Sequence, residues 1–172
     1  GSARTGGGAA VAEGDWPLVR GNPARTGVVP GATGPTGGGI NWTWDGGEVF
    51  ASPAVVDDRV YVTTARLSVF GGSGRIACLD AATGRLLWDL APDGYRPTFS
   101  SPVIEGRWLV TGEGLHITPD ARVVCVDMAA EDGPRVVWAY RTESHVECTP
   151  VISGGRVYVG AGDDGYYCFD LE

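Results

Sequence analysis

Four cysteines and one glycine-rich run are the residues of this sequence whose types first suggest chemistry. The cysteines form no Cys-x-x-Cys pair, so we expect no structural zinc site; they are Cys78, Cys125, Cys148 and Cys168. The run Gly160–Gly165 has G-x-G-x-x-G spacing, but a strand-like segment follows it, whereas a dinucleotide phosphate requires a helix N-terminus. We interpret this run as a hairpin loop and predict neither a metal site nor catalytic residues.

Composition and charge exclude further classes of function. The 172 residues carry a formal net charge of −8, and all 13 basic residues are arginines. An acidic chain without a basic run is poorly suited to a phosphate backbone, so we expect no nucleic-acid partner. No apolar run approaches ~18 residues, so no membrane span is predicted in this chain. With 28 glycines and 11 prolines, turns are expected to outnumber long helices.

A threefold internal repeat determines the expected fold. Similar segments begin at residues 51 (ASPAVVDDRVYV), 100 (SSPVIEGRWLV) and 148 (CTPVISGGRVYV), and their prolines Pro53, Pro102 and Pro150 are 49 and 48 residues apart. A period of this length is typical of propeller blades. Apolar alternation inside each repeat predicts β-strands, and no segment has the 3.6-residue period of a helix.

The first two repeats are each predicted to contain four strands, A to D, and the third to contain strands A to C. Two-residue A–B turns are predicted at Asp57-Asp58, Glu105-Gly106 and Gly154-Gly155. Residues 41–45 resemble a lone D strand, which brings the expected total to about 12 strands. We therefore predict an all-β fold, a β-propeller of about three four-stranded antiparallel blades.

The predicted organisation is a flexible tail (1–14), a lead-in segment that packs on the propeller (15–40) and three blades within 41–172. The blades cover about 41–88, 89–138 and 139–172, the last without its outer strand. Propellers typically have ~4–8 blades. We therefore expect either part of a longer propeller or a homo-oligomer whose copies complete the ring.

The repeat resembles that of the pyrroloquinoline-quinone-like (PQQ-like) β-propellers, including bacterial envelope propellers of the BamB kind. The resemblance covers residues 15–172: the lead-in DWPLVRGNP, the first repeat ASPAVVDDRVYV…ACLDAATGRLLW, and HVECTPVISGGRVYVGAGDDGYYCFD. It implies a blade-docking motif, Ala-x-Asp-x-x-x-Gly-x-x-x-Trp. The matching structural residues are Cys78, Asp80, Gly84 and Trp88 in the first repeat, Cys125, Asp127 and Trp138 in the second, and Cys168 and Asp170 in the third.

We assign these motif residues structural roles. Asp80 is expected to accept backbone N–H bonds across the turn that follows it, and the tryptophans to fill space between blades. Cys148 and Cys168 are predicted to lie two strand spacings apart, ~9.5 Å, which is beyond disulfide reach. No disulfide is therefore expected within the third blade.

Strand direction predicts which loops share a face. Because A and C run one way and B and D the other, the D–A and B–C connections emerge together, and most are long (63–73, 89–99, 112–120 and 139–147). Function usually lies on such loops. The ligand-face candidates are His116, His145, Glu147, Asp163, Asp164, Arg96 and Arg141. The competing interpretations are a packed ring for His145 and plain turn residues for Asp163 and Asp164.

The resemblance implies three functions that the residues alone do not separate. The first is a non-catalytic binding or scaffolding module, periplasmic or otherwise extracytoplasmic, that contacts a protein, peptide or glycan and needs no cofactor; its export signal would lie outside this sequence. The second is part of a PQQ-dependent alcohol or sugar dehydrogenase with PQQ and Ca²⁺, although the neighbouring-cysteine pair of those enzymes is absent. The third is a regulatory propeller of a larger protein. We favour the first and expect no enzymatic activity.

Overall fold

The computed structural model describes residues 14–22, 24–28, 37–69 and 71–172, with the Gly71 backbone but not its side-chain environment. This part of the chain contains β1 (Ala54–Val56), β2 (Arg59–Ser68), β3 (Gly71–Asp80), β4 (Leu86–Leu90), β5 (Val103–Glu105), β6 (Trp108–Gly112), β7 (Ala121–Asp127), β8 (Arg135–Thr142), β9 (Val151–Ser153), β10 (Arg156–Gly160) and β11 (Tyr166–Asp170). A 3₁₀ turn spans Gly162–Asp164. The predicted tail up to residue 13 lies outside the described residues, as do 23 and 29–36 of the lead-in.

The strands form three antiparallel sheets in chain order. The sheets are β1-β2-β3-β4, β5-β6-β7-β8 and β9-β10-β11. Each strand pairs with the next one along the chain, so every connection within a sheet is a hairpin. The predicted all-β fold of blade-like antiparallel sheets is confirmed.

Tight turns join the first two strands of each sheet. Asp57-Asp58 and Gly154-Gly155 form two of them as predicted, with φ values of 51°, 57°, 60° and 72° that match the right-handed strand twist. In the second sheet Glu105 pairs with Trp108, so the turn is Gly106-Arg107, one residue later than predicted. Gly106 supplies the positive φ of 57° there.

Two predicted features of the first sheet are wrong. Residues 41–45 form no strand; the Trp42 Nε1–H instead donates to the Ala81 carbonyl at 2.9 Å. Residues 63–73 are not a long loop, because β2 and β3 continue through this segment and remain paired out to Ser68 and Gly71. The described part of the chain therefore has eleven strands rather than twelve.

The second sheet is covered on both faces, which creates two layers of core. On β7, Val123 and Cys125 belong to one buried cluster together with Val157 of β10. Val124 and Val126 belong to the other cluster, which includes Ile76 of β3 and Tyr61 of β2. Because successive side chains of a strand point to opposite faces, β7 serves both layers, as expected for a blade between two others.

The lead-in joins the first two sheets. Trp16 exchanges backbone hydrogen bonds with Val55 at 2.6 and 2.7 Å, and the Ile104 N–H donates to the Pro17 carbonyl at 2.9 Å. Leu18 is buried in the core beside β5. This segment thus packs where β1 and β5 approach each other. None of the helices in the described ranges has the length and apolar character required to cross a bilayer.

Candidate functional site

The connections that follow the second strand of each sheet and the fourth strand of the first two sheets meet at one end of the molecule, called here the loop end. Gly114 N–H donates to the Pro97 carbonyl at 3.1 Å, and Val146 N–H to the Glu113 carbonyl at 3.0 Å. Glu143 N–H donates to Asp164 Oδ2 at 2.8 Å. These bonds tie together connections from all three sheets, so the loop end is a continuous surface.

A buried ion pair supports the loop end from below. The Glu113 side chain is only 2% exposed, and it accepts Arg122 Nε at 2.6 Å and Arg122 Nη2 at 3.0 Å. The Arg96 backbone N–H adds a third bond, to Glu113 Oε2 at 3.2 Å. The hydrogen bond that Arg122 donates to Glu113 raises the pKa of Arg122 above its ordinary value. This bidentate hydrogen bonding between Arg122 and Glu113 fixes both side chains in place.

Above this pair, one carboxylate joins two arginines. Asp120 bonds Arg96 through Oδ1 and Arg141 through Oδ2. A groove of about 300 Å³ runs between these side chains and the Glu113–Arg122 pair. The Arg141 side chain remains 75% exposed, so its guanidinium is available to a partner. We call this the arginine groove.

A second groove, of about 420 Å³, contains the two histidines. The His116 and His145 rings lie edge to face, with centroids 5.0 Å apart. The ligand atoms of His116, His145 and Glu147 all lie within 4.8 Å of one another. Two imidazoles and a carboxylate form a set that could hold a metal ion. The sequence prediction of no metal site rested on local motifs, which do not address a set drawn from two separate loops. We call this the histidine groove.

Asp164 fastens the wall of the histidine groove. Its Oδ2 accepts the Tyr167 hydroxyl at 2.5 Å as well as the Glu143 N–H. The Tyr167 hydrogen bond and then the Glu143 N–H lower the pKa of Asp164, while the same bond to Asp164 raises the pKa of Tyr167 to about 12. These contacts favour a turn-stabilising role for Asp164. Asp163 lies exposed in the same groove.

The seven ligand-face candidates therefore divide between two neighbouring grooves rather than forming one site. Arg96 and Arg141 line the arginine groove, and the other five lie in or beside the histidine groove. Sequence reasoning missed Glu113, Asp120 and Arg122. A usable signal existed: continuing the Gly112–Val123 register by one residue places Glu113 opposite Arg122, a favourable cross-strand charge pair.

The predicted repeat residues of the first sheet lie in the β3–β4 turn and on the two strands that it joins. Asp80 Oδ1 accepts the Thr83 N–H at 2.8 Å and the Thr83 hydroxyl at 2.6 Å, which lowers the pKa of Asp80. Gly84 has φ = 71° and lies against the Trp42 ring. Cys78 is buried, and desolvation raises the pKa of its thiol to about 11. Trp88 packs near the Tyr61 ring, at 6.0 Å between centroids.

The second repeat reproduces this arrangement and the third only in part. Asp127 accepts Arg107 Nε at 2.7 Å and the Ala129 N–H at 3.0 Å, and burial raises the pKa of Cys125 to about 12. The Trp138 Nε1–H donates to the Leu171 carbonyl at 3.2 Å.

In the third sheet, by contrast, Cys168 and Asp170 are exposed. All four cysteines are free thiols. The Cys148 thiol donates a hydrogen bond to the Gly160 carbonyl. The motif cysteine is thus buried in the two four-stranded sheets and exposed in the third sheet, which has no fourth strand.

Repeated antiparallel sheets that stack face to face, with their long loops at one end, define a β-propeller repeat protein. The sequence family described as "Outer membrane protein assembly factor BamB" matches residues 25–102 and 72–172. The chain belongs to this family of PQQ-like repeat propellers. No curated protein sequence matches it.

Solved structures similar to the chain include a BamB protein and a methanol dehydrogenase. BamB from Moraxella catarrhalis shares 14% identity at a TM-score of 0.44, over 70% of this chain and 42% of that one. A europium-containing methanol dehydrogenase shares 21% identity at a TM-score of 0.41, over 53% of this chain and 15% of that one. The chain thus spans less than half the length of either protein.

Proposed function

We propose that the chain is a non-catalytic binding or scaffolding module of the bacterial cell envelope, periplasmic or otherwise extracytoplasmic, and that it contacts a protein or peptide partner through its loop end. The observation that carries the proposal is the arginine groove, in which Asp120 joins Arg96 and Arg141 above a buried Glu113–Arg122 pair. The family description, an outer membrane protein assembly factor, supports an envelope partner.

The arginine groove is organised before any partner arrives. Its side chains hold one another through ion pairs, and the backbone beneath them is tied across sheets by the Gly114–Pro97 bond. A rigid surface loses little conformational entropy on binding. Arg141 bonds Asp120 and is mostly exposed, so a second carboxylate on a partner could pair with the remaining N–H groups of its guanidinium. We therefore expect an acidic side chain of the partner at Arg141.

The dehydrogenase alternative fits the loop end poorly. PQQ carries several carboxylates and would need several exposed cationic side chains to bind it. Of the three arginines of the arginine groove, only Arg141 is mostly exposed, because Arg96 pairs with Asp120 and Arg122 with the buried Glu113. We expect no dye-linked alcohol oxidation when PQQ and Ca²⁺ are added to the chain. The third alternative, a regulatory propeller, would use the same loop end inside a longer protein.

Charge reversal at Arg141 tests this proposal. The wild-type chain, immobilised, should capture a partner from a bacterial envelope extract, and Arg141→Glu should lose that capture because an acidic partner is repelled. Arg85→Glu is the matched control, since Arg85 is an exposed arginine in the turn between β3 and β4, at the opposite end. Equal capture by both variants would remove the loop end from the proposal. Captured material that glycosidase treatment releases would indicate a glycan partner instead.

A further inference from the structure

We propose that His116, His145 and Glu147 form a binding site for a divalent transition-metal ion of the zinc class. His116 belongs to the β6–β7 connection, while His145 and Glu147 belong to the β8–β9 connection. The site therefore joins loops of the second and third sheets. Its geometry does not depend on the identity of any partner of the arginine groove.

The spacing of the three side chains is close to what an ion requires. Their ligand atoms lie within 4.8 Å of one another. Atoms bound tetrahedrally at 2.0–2.1 Å from Zn²⁺ lie about 3.4 Å apart, so closure needs movements of about 1.4 Å or less. His116 is exposed, and rotation of its side chain could supply that movement. Two histidines and one carboxylate leave a fourth position open to water or to a partner's ligand.

An unpaired carboxylate oxygen is the independent sign that the site takes a cation. Glu147 Oε1 is buried and has no hydrogen-bond partner within the part of the chain that the structure describes. A buried polar atom without a partner is costly, the more so when it belongs to a charged group. A divalent cation at this position would satisfy the oxygen directly.

The surrounding backbone holds the ligands in position. Val146, between the two β8–β9 ligands, is fully buried, and its N–H donates to the Glu113 carbonyl at 3.0 Å. The His145 ring lies on Gly162, where an added Cβ would come within 2.7 Å of Cε1. Ser144 Oγ lies 3.2 Å from His145 Nδ1. When Nδ1–H donates to that oxygen, Nε2 is left as the metal ligand, a common way to orient a metal-binding histidine.

Calorimetric titration with Zn²⁺ alone tests the site on the chelator-treated chain. We expect one ion per chain, and His116→Ala and Glu147→Gln should each weaken binding by more than ~10-fold, since even loss of outer partners costs 10–100-fold. Asp163→Asn is the matched control, because Asp163 is an exposed carboxylate of the same groove outside the ligand set. Circular dichroism should show that every variant is folded.

The thiols require their own control. Cys148→Ser should bind Zn²⁺ as the wild type does, and Co²⁺ should give visible ligand-field bands without a thiolate charge-transfer band. Absence of saturable binding, wild-type affinity in both ligand variants, or loss of binding in Cys148→Ser would each overturn the proposal. No partner enters this titration, so failure of partner capture leaves it unaffected, and the reverse also holds.

Discussion

At the residue scale, the Glu113–Arg122 pair fixes two side chains at the loop end in one geometry. Glu113 is 2% exposed and Arg122 is 24% exposed, and two hydrogen bonds join them. A buried carboxylate is tolerated only with such partners. The exposed Arg75–Asp89 pair, whose side chains are 40% and 39% accessible, contrasts with it, because water screens exposed charges.

Arg122→Met should therefore destabilise the fold far more than Arg75→Met. Removing Arg122 leaves Glu113 buried without its cation, which costs about 3–5 kcal/mol; losing the exposed pair costs under ~1 kcal/mol. Urea unfolding followed by tryptophan fluorescence measures both variants. Equal midpoints would contradict a stabilising role for the Glu113–Arg122 pair.

The Asp164–Tyr167 bond predicts a dependence on acid. Because the folded-state pKa of Asp164 lies below its ordinary value, its ionised form stabilises the fold at pH above the ordinary Asp pKa of about 3.9. This contribution is lost as the pH falls through the lowered folded value. Tyr167→Phe should raise the Asp164 pKa towards 3.9, as followed by NMR titration of the carboxyl carbon. An unchanged pKa would assign the shift to the Glu143 N–H instead.

At the element scale, the first sheet shows what the sequence does and does not predict. Asp57-Asp58 was correctly predicted as a turn, because its residue types tolerate positive φ. The prediction of a lone strand at 41–45 was wrong. Alternating Trp42 and Trp44 give the same sequence pattern whether or not a neighbouring strand is there to pair with them. Two histidines and Glu147 could be assigned to one face by strand direction, but their contact depends on loop geometry that alternation does not encode.

The contact between Trp42 and Gly84 should be measurable by one substitution. Gly84→Ala brings a Cβ within 2.5 Å of the Trp42 ring and also adopts φ = 71°. Gly106→Ala is the control, because Gly106 has φ = 57° and open space around it. The control should cost about 1–2 kcal/mol of backbone strain, and Gly84→Ala clearly more in urea unfolding. In a Trp42→Ala background the difference should disappear; a persistent difference would contradict this docking.

At the scale of the whole molecule, the third sheet differs from the other two. It has three strands in the order β11-β10-β9, so β11 forms its edge. Tyr166 on that strand is 89% exposed. An unpaired strand edge with exposed aromatic residues can pair with another chain.

We accordingly expect the chain to self-associate through β11. Light scattering over a range of concentrations should give a mass above the 17.9 kDa of one chain, and Tyr166→Lys should lower it because charge on an edge strand opposes pairing. Val69→Lys is the control, since Val69 is also exposed but follows β2, away from that edge. A single-chain mass for the wild type at every concentration would contradict this expectation.

Glu113 contributes to both grooves. Its carboxylate binds Arg122 beneath the arginine groove, and its carbonyl accepts the Val146 N–H between His145 and Glu147. A ligand that moves Glu113 in one groove therefore changes the binding free energy of a ligand in the other. Thermodynamic linkage makes such an effect reciprocal: whatever factor a metal ion applies to the affinity for a partner, the partner applies to the affinity for the metal.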